Sequence, residues 1–384
     1  VRIFPAEVEE RAFRLGLARD WESAGLVDAP TAAKITAELG PPPARAAWPL
    51  RLVLFGFTTL CVAALVGLFV VNDRDRTAVG LFCLFAAAFA AAGAERLIRA
   101  YAFHRHGVEE ALVAAAAVLL ALGVERTLDA GRAWSDREWI FPAALAAASA
   151  LAYARYGYRL AAIGVAAGLG LLVASFDVGE NWTRVLLAAL YAGLLAALAF
   201  APGLPRRERE RLEIARFFLA LSVPLALNVR LEYALRGYEW YGGRELDAFG
   251  WLTFAAIFAL PAAAFAWGVV SRSRALLWAG ALDFLVAQCS VKPYFGLARN
   301  SWDPAALGAE LIAAALLLKR WLDAGPGGRR GAYSSREMGG SRAEGALGLL
   351  AGAAAAAPAA ATRAPDVPRG EGGGFGGGGA SGSF

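Results

Sequence analysis

Residues 249–290 read FGWLTFAAIFALPAAAFAWGVVSRSRALLWAGALDFLVAQCS. Two apolar runs, 249–270 and 275–290, flank a short basic turn, and the first run holds no charged residue. A bilayer hydrocarbon core is ~30 Å thick and takes ~20 residues of helix to cross. Backbone N–H and C=O groups in lipid must be satisfied within the segment, so runs of this kind are helical. Strands of a membrane barrel would alternate apolar and polar residues, which this stretch does not do. Helices of a soluble bundle would carry a polar face, and most of that face is missing here.

The same pattern repeats in both directions from this stretch. Further runs fall near 50–71, 77–94, 109–124, 139–154, 159–175, 183–201, 213–229 and 304–321. Of the 384 residues 58% are apolar, and the mean hydropathy of +0.48 is high for a soluble domain. The expected fold is all-α, a polytopic transmembrane helix bundle of about ten spans. Some runs are shorter than ideal, which tilt or local thinning of the bilayer absorbs.

Three regions follow from composition. Residues 1–47 are charged and read as a cytoplasmic helical cap. One amphipathic helix is expected over 6–22, with Phe13, Leu17 and Trp21 on one face. A second is expected over 29–39, with Asp28 as cap, Pro30 in the first turn, and Gly40-Pro41-Pro42-Pro43 as the stop. Residues 48–321 form the ten-span domain. Residues 322–384 read as an Ala/Gly-rich linker and a disordered Gly-rich tail, ending GGGFGGGGASGSF. Within them 345–362 is nearly all Ala, Gly and Leu, and Pro358 interrupts it as an eleventh helix.

A formal charge of +5 invites a nucleic-acid reading, but the arginines sit mainly in short loops between apolar runs, where orientation signals lie. No nucleic-acid partner is expected; the bilayer is. With the N-terminus inside, the inner segments hold the larger share of Lys and Arg, including Arg96, Arg99, Arg155, Arg159, Arg209, Arg211 and Arg216. An even number of spans then puts both termini in the cytoplasm of a bacterial inner membrane. Trp134, Trp139, Trp182, Trp240, Trp251 and Trp302 fall on the outer side as interfacial anchors.

Sequence motifs add little. Gly377-x-Gly379-x-x-Gly382 matches a dinucleotide fingerprint only by composition, since no strand precedes it and no helix follows. No Walker loop, GxSxG elbow or HExxH is present. Cys61, Cys83 and Cys289 lie in or beside spans and read as small core residues, and two histidines do not make a metal site. No catalytic residue, cofactor or metal is expected. Gly164 and Gly168 are a small-xxx-small pair that favours close helix packing. His104, His106, Glu109 and Glu110 open the third span; they read as helix anchors at the positive dipole end, or else as a pH or cation sensor.

Polar residues inside apolar runs carry more information, because they are costly in lipid and face protein or water. Asp283 and Gln288 lie in the ninth span, Glu310 in the tenth, Asn228 and Arg230 at the outer end of the seventh, and Lys292 just past the ninth. Together they suggest an intramembrane polar site in the outer half, with Arg230 or Lys292 as counter-charge for Glu310. A set of interhelical hydrogen bonds with snorkelled ends is the structural alternative. Pro224 and Pro261 remove helical hydrogen bonds in spans seven and eight.

Trp21-x-x-x-Gly25-Leu26 followed by a short helix, the run of spans, and the His106-Gly107-x-Glu109-Glu110-Ala111 opening resemble the bacterial membrane proteins of domain of unknown function 2157. The likeness covers roughly residues 10 to 320 and implies a polytopic inner-membrane protein with no established activity or site. The function expected is non-enzymatic: a small-solute or proton carrier, or a sensor, with a membrane scaffold as the alternative.

Overall fold

The structure, a computed structural model, describes residues 3, 6–23, 27–40, 48–72, 75–101, 106–128, 138–201, 206–231, 246–271, 273–297, 300, 302–326, 329–330 and 333–334. His104, Trp134, Trp240, the 345–362 run and the Gly-rich tail lie outside the described residues. The chain divides into two compact units, Val1–Ser301 and Trp302–Phe384.

The fold is all-α. The first unit holds α1 (Ala6–Ser23), α2 (Ala29–Leu39), α3 (Trp48–Asn72), α4 (Arg76–Tyr101), α5 (Val108–Leu128) and α6 (Ile140–Tyr156). It continues with α7 (Arg159–Ala174), α8 (Glu180–Phe200), α9 (Arg206–Leu227), α10 (Ala248–Ser271) and α11 (Arg274–Tyr294). The second unit holds α12 (Asp303–Asp323) and a two-residue antiparallel pairing of Arg329–Arg330 with Tyr333–Ser334, within the stretch expected to be linker.

Local chemistry sets the helix limits. Gly40, at φ 78°, ends α2, whose proline sits in the first turn. Asp28 holds the N-cap position in extended conformation, although its side chain makes no capping bond. Gly157, left-handed at φ 66°, closes α6 by donating its N–H to the Tyr153 carbonyl. At the start of α11 the Ser273 side chain accepts from Leu276 N–H.

The helices of the bundle alternate in direction, as side-chain bonds at their ends record. At one end, Arg51 at the start of α3 holds Glu110 at the start of α5. Arg155 at the end of α6 bonds Glu95 near the end of α4 at 3.0 Å, and Tyr153 donates to Glu208 in α9 at 3.0 Å. Ser273 donates to Glu213 in α9, and Arg216 donates to the Leu198 carbonyl near the end of α8. Ile3 N–H bonds the Arg155 carbonyl at this arginine-rich end. At the opposite end, Arg184 of α8 reaches the Asn228 carbonyl, and Tyr294 of α11 reaches Thr253 of α10. Exposed Trp139, Trp182 and Trp251 ring that second end.

Among the described residues six helices are long and apolar enough to cross a membrane: the segments Pro49–Phe69, Arg76–Tyr101, Val108–Leu128, Glu180–Phe200, Ala248–Ser271 and Arg274–Tyr294. Sequence patterning led to an expectation of about ten, and the other four fall short for physical reasons. With 17 and 16 residues, α6 and α7 are roughly 25 Å long at 1.5 Å per residue, less than the ~30 Å core. Charges from Arg206 to Arg216 occupy the first half of α9, and Glu310 together with Lys319 and Arg320 leaves no long uncharged run in α12. Large side chains on the apolar helices stand open, with Phe85 71%, Phe89 74% and Val270 82% exposed. Contiguous apolar surface on that scale belongs against lipid or protein rather than water.

Two expectations about faces resolve differently. In α1 the buried residues are Ala12, Leu15 and Ala18, while Trp21 is exposed. Small alanines let α1 lie close to α2, which buries Ala32, and the bulky face of Phe13, Leu17 and Trp21 is not the packed one. The Gly164/Gly168 pair packs inside the bundle: a side chain at 164 would strike Ser149 and one at 168 the Ala146 backbone, both on α6.

Candidate functional site in the α9–α10–α11 group

α9, α10 and α11 pack on one another. The inward face of α11 carries Leu276, Ala279, Gly280, Asp283, Ala287, Ser290 and Tyr294, spaced three and four apart as one helical stripe requires. Small residues dominate it, so neighbouring backbones come close. A side chain added at Gly280 would sit 2.8 Å from the Pro261 carbonyl of α10 and 2.9 Å from Phe265 N–H.

Near the tryptophan end, this stripe meets a polar network. Asn228 stands just past the last residue of α9 and is 1% exposed. Its Nδ2 donates to Ser290 Oγ at 2.7 Å, and its Oδ1 accepts from Arg230 N–H at 3.1 Å. The Asn228 carbonyl accepts from Arg184 Nη1 at 3.3 Å, and Ser290 Oγ passes its own hydrogen to the Val286 carbonyl. One turn on, Tyr294 donates to Thr253, whose hydroxyl donates to the Gly250 carbonyl. Arg184 also holds Glu180 at 2.9 Å and lines a surface recess of about 480 Å³ with Glu138, Asp177, Thr183, Leu225 and Ala226.

Asp283 differs from all of these. It is 2% exposed, in the middle of α11, and neither carboxyl oxygen has a hydrogen-bond partner. Leu276 and Ala279 below it pack with Ala220 of α9, and Ala287 above it packs with Ile257 of α10. Neither described recess is lined by Asp283.

Of the residues expected from sequence, Asn228, Arg230 and Asp283 belong to this three-helix group. Gln288 and Lys292 are half-buried on the flank of α11, off its inward stripe. Glu310 lies in the second unit and is exposed on α12, so the group above is drawn from the first unit alone. Sequence reading missed Arg184, Thr253, Ser290 and Tyr294. The i, i+4, i+7, i+11 spacing of Asp283, Ala287, Ser290 and Tyr294 was the signal for two of them.

The other polar cluster singled out in the sequence works as a helix anchor. Glu109 is fully buried and its Oε1 accepts from His106 N–H at 2.8 Å, folding back over the start of α5 as a capping box does. Glu110 is held by Arg51 through two bonds. Gly107, at φ 102°, lets the chain turn against the Arg51 carbonyl, where a side chain would collide. Among the described residues no three His, Cys, Asp or Glu side chains gather as a metal site would.

Comparison of the chain with protein-family models, with curated proteins and with solved structures finds no match. The resemblance to domain of unknown function 2157 therefore rests on the residues quoted above.

Proposed function

We propose that this chain is a ten-span protein of a bacterial cytoplasmic membrane, with both ends inside, that carries or senses a proton or small solute through α9, α10 and α11. The observation that carries this reading is Asp283, a carboxyl group buried mid-helix with no partner for either oxygen. An isolated carboxylate in a medium of low polarity is costly, and ionisable groups within membrane helices mark ion and solute paths. Alternation of α3 to α11 between an arginine-rich end and a tryptophan-ringed end supports passage of α6, α7 and α9 across the bilayer with the six longer helices. The Arg184-lined recess then opens on the outer face.

Proteoliposome flux over a panel of protons, alkali cations and small solutes tests the reading. One member of the panel is expected to move, or to change the protein's hydrogen-exchange pattern in α9–α11, in the wild type and not in Asp283→Asn. Equal behaviour of wild type and variant across the panel would overturn it.

A further inference from the structure

Pro224 in α9 and Pro261 in α10 are both buried. Proline has no N–H, so the carbonyl four residues earlier loses its helical donor. Those carbonyls belong to Ala220 and Ile257, themselves 4% and 2% exposed. Each proline thus removes the helical donor of a carbonyl that belongs to a buried residue.

Contacts along α11 place both breaks at the level of Asp283. α9 and α11 run parallel, since Ser273 meets Glu213 at one end and Ser290 meets Asn228 at the other. Ala220 packs beside Leu276 and Ala279. Midway between that contact and the Asn228–Ser290 bond, Pro224 comes level with Asp283. On the antiparallel α10, Gly280 abuts Pro261 and Ala287 packs on Ile257, so Asp283 falls between them. Helical carbonyls point along the axis toward the C-terminus, which directs the Ala220 carbonyl toward the Pro224 level and the Ile257 carbonyl toward the Pro261 level. Neither oxygen of the Asp283 carboxyl group has a partner, and two carbonyls near its level lack the helical donor that a residue other than proline would supply.

Charge is absent from this level. α10 has no ionisable residue. The charged groups of α9 end at Arg216, which is tied to Glu213 and the Leu198 carbonyl, near Ser273 at the start of α11. On α8, whose Leu195 reaches the Ala220 cluster, Tyr191 packs edge-on to Phe218, and Glu180 and Arg184 lie at the far end. On α11 itself Arg274 and Tyr294 are roughly 14 and 16 Å away along the axis. Lys292 and exposed Cys289 lie off the inward stripe.

We propose that Asp283 is a proton-binding site, occupied as a carboxylic acid that donates its hydrogen to the proline-freed carbonyl of Ala220 or Ile257. The proposal rests on the reading of α9–α11 as the functional group and names its ligand. Uptake converts a carboxylate and a proton to a carboxyl group with no other bond made or broken. A proton suits the place: Gly280 against the Pro261 backbone leaves the helices in contact one turn away, and neither described recess reaches Asp283.

The test uses the full chain in lipid nanodiscs at neutral pH with dicyclohexylcarbodiimide, which adds to protonated carboxyl groups in apolar surroundings. Mass spectrometry is expected to find the adduct on Asp283, absent in Asp283→Asn and undiminished by sodium or potassium. Infrared difference spectra between neutral and alkaline pH are expected to show a protonated-carboxyl band that Asp283→Asn removes. Pro224→Ala or Pro261→Ala, by returning a donor to one carbonyl, shifts that band.

Protection of Asp283 by sodium or potassium would overturn the proposal in favour of a metal-cation site. No adduct and no band, with Asp283→Asn still abolishing the wild-type response in the flux panel, would overturn proton binding and leave the functional reading standing. An adduct together with unchanged behaviour in the panel would do the reverse. A band that neither proline variant shifts would remove the carbonyl acceptor.

Discussion

Glu110 is 6% exposed and is held by Arg51, whose side chain remains about a third in contact with its surroundings at 31% exposed. Removing one partner of a buried pair leaves the other charge stranded, at about 3–5 kcal/mol. Arg51→Ala is expected to cost the low end of that range, because the arginine head is not fully enclosed. Arg51→Met with Glu110→Met, which removes both charges, is expected to recover most of the loss. Thermal unfolding in detergent compares the two variants, and a double variant as unstable as the single one would show that the pair itself holds α3 to α5. The Asn228–Ser290 bond is smaller in consequence. Hydrogen bonds between membrane helices couple by about 0.6 kcal/mol on average and up to about 1.7. Full burial and a 2.7 Å separation place this bond in the upper half of that range in a cycle of Asn228→Ala and Ser290→Ala. Asn228 and Asp283 were legible in the sequence because polar residues are rare in apolar runs. Their companions were not: Ser290, Thr253 and Tyr294 look ordinary at helix ends, and only the register between helices joins them.

Some helix limits were legible, as at Gly40 after α2, but α4 runs on to Tyr101 and α9 starts at Arg206, each seven residues beyond the apolar runs 77–94 and 213–229, because charged residues extend a helix past its apolar part. Which face of each helix packs was not legible. In α1, alanines make the contact in place of the aromatic stripe. In the membrane helices apolar residues cover every side, so amphipathicity no longer marks the inside. Small residues mark it instead, and glycine substitutions test this. A side chain at Gly168 would stand 2.6 Å from Ala146 N on α6, whereas at Gly193 nothing lies within 4 Å. Gly168→Ala is expected to lower stability by about 1–3 kcal/mol through overpacking against backbone. Gly193→Ala, with open space and a better helix former, is expected to be neutral or to gain up to about 1 kcal/mol. Thermal unfolding of the two alanine variants decides: equal losses would mean the glycines matter for something other than the α6–α7 contact.

For the whole molecule the open quantity is how many of the helices cross the bilayer, and one loop decides it. If only the six long apolar helices span, with the N-terminus inside, α3, α4, α5 and α8 return the chain to the inside, and α10 then runs outward. The chain at Ser273, between α10 and α11, would face the outside. If α6, α7 and α9 span as well, α10 runs inward and the same point faces the cytoplasm. The bonds at the helix ends favour the second case. Glu95 with Arg155, Tyr153 with Glu208, and Glu213 with Ser273 put the ends of α4 and α6 and the starts of α9 and α11 at one level. That arrangement aligns the N-terminal end of α9 with the C-terminal ends of α4 and α6. The arginine of Arg274 and those of α9 then share one side, as the distribution of cationic residues in membrane proteins requires. In cells Ser271→Cys, at the exposed end of α10 beside this point, in a chain with Cys61, Cys83 and Cys289 replaced by alanine, is expected to resist a membrane-impermeant maleimide added outside and to react after the membrane is opened. A cysteine at Asp177, in the short turn between α7 and α8, is expected to react from outside in both arrangements and so controls for access. Labelling of position 271 from outside would reduce the bundle to six crossings and return α6, α7 and α9 to the membrane surface.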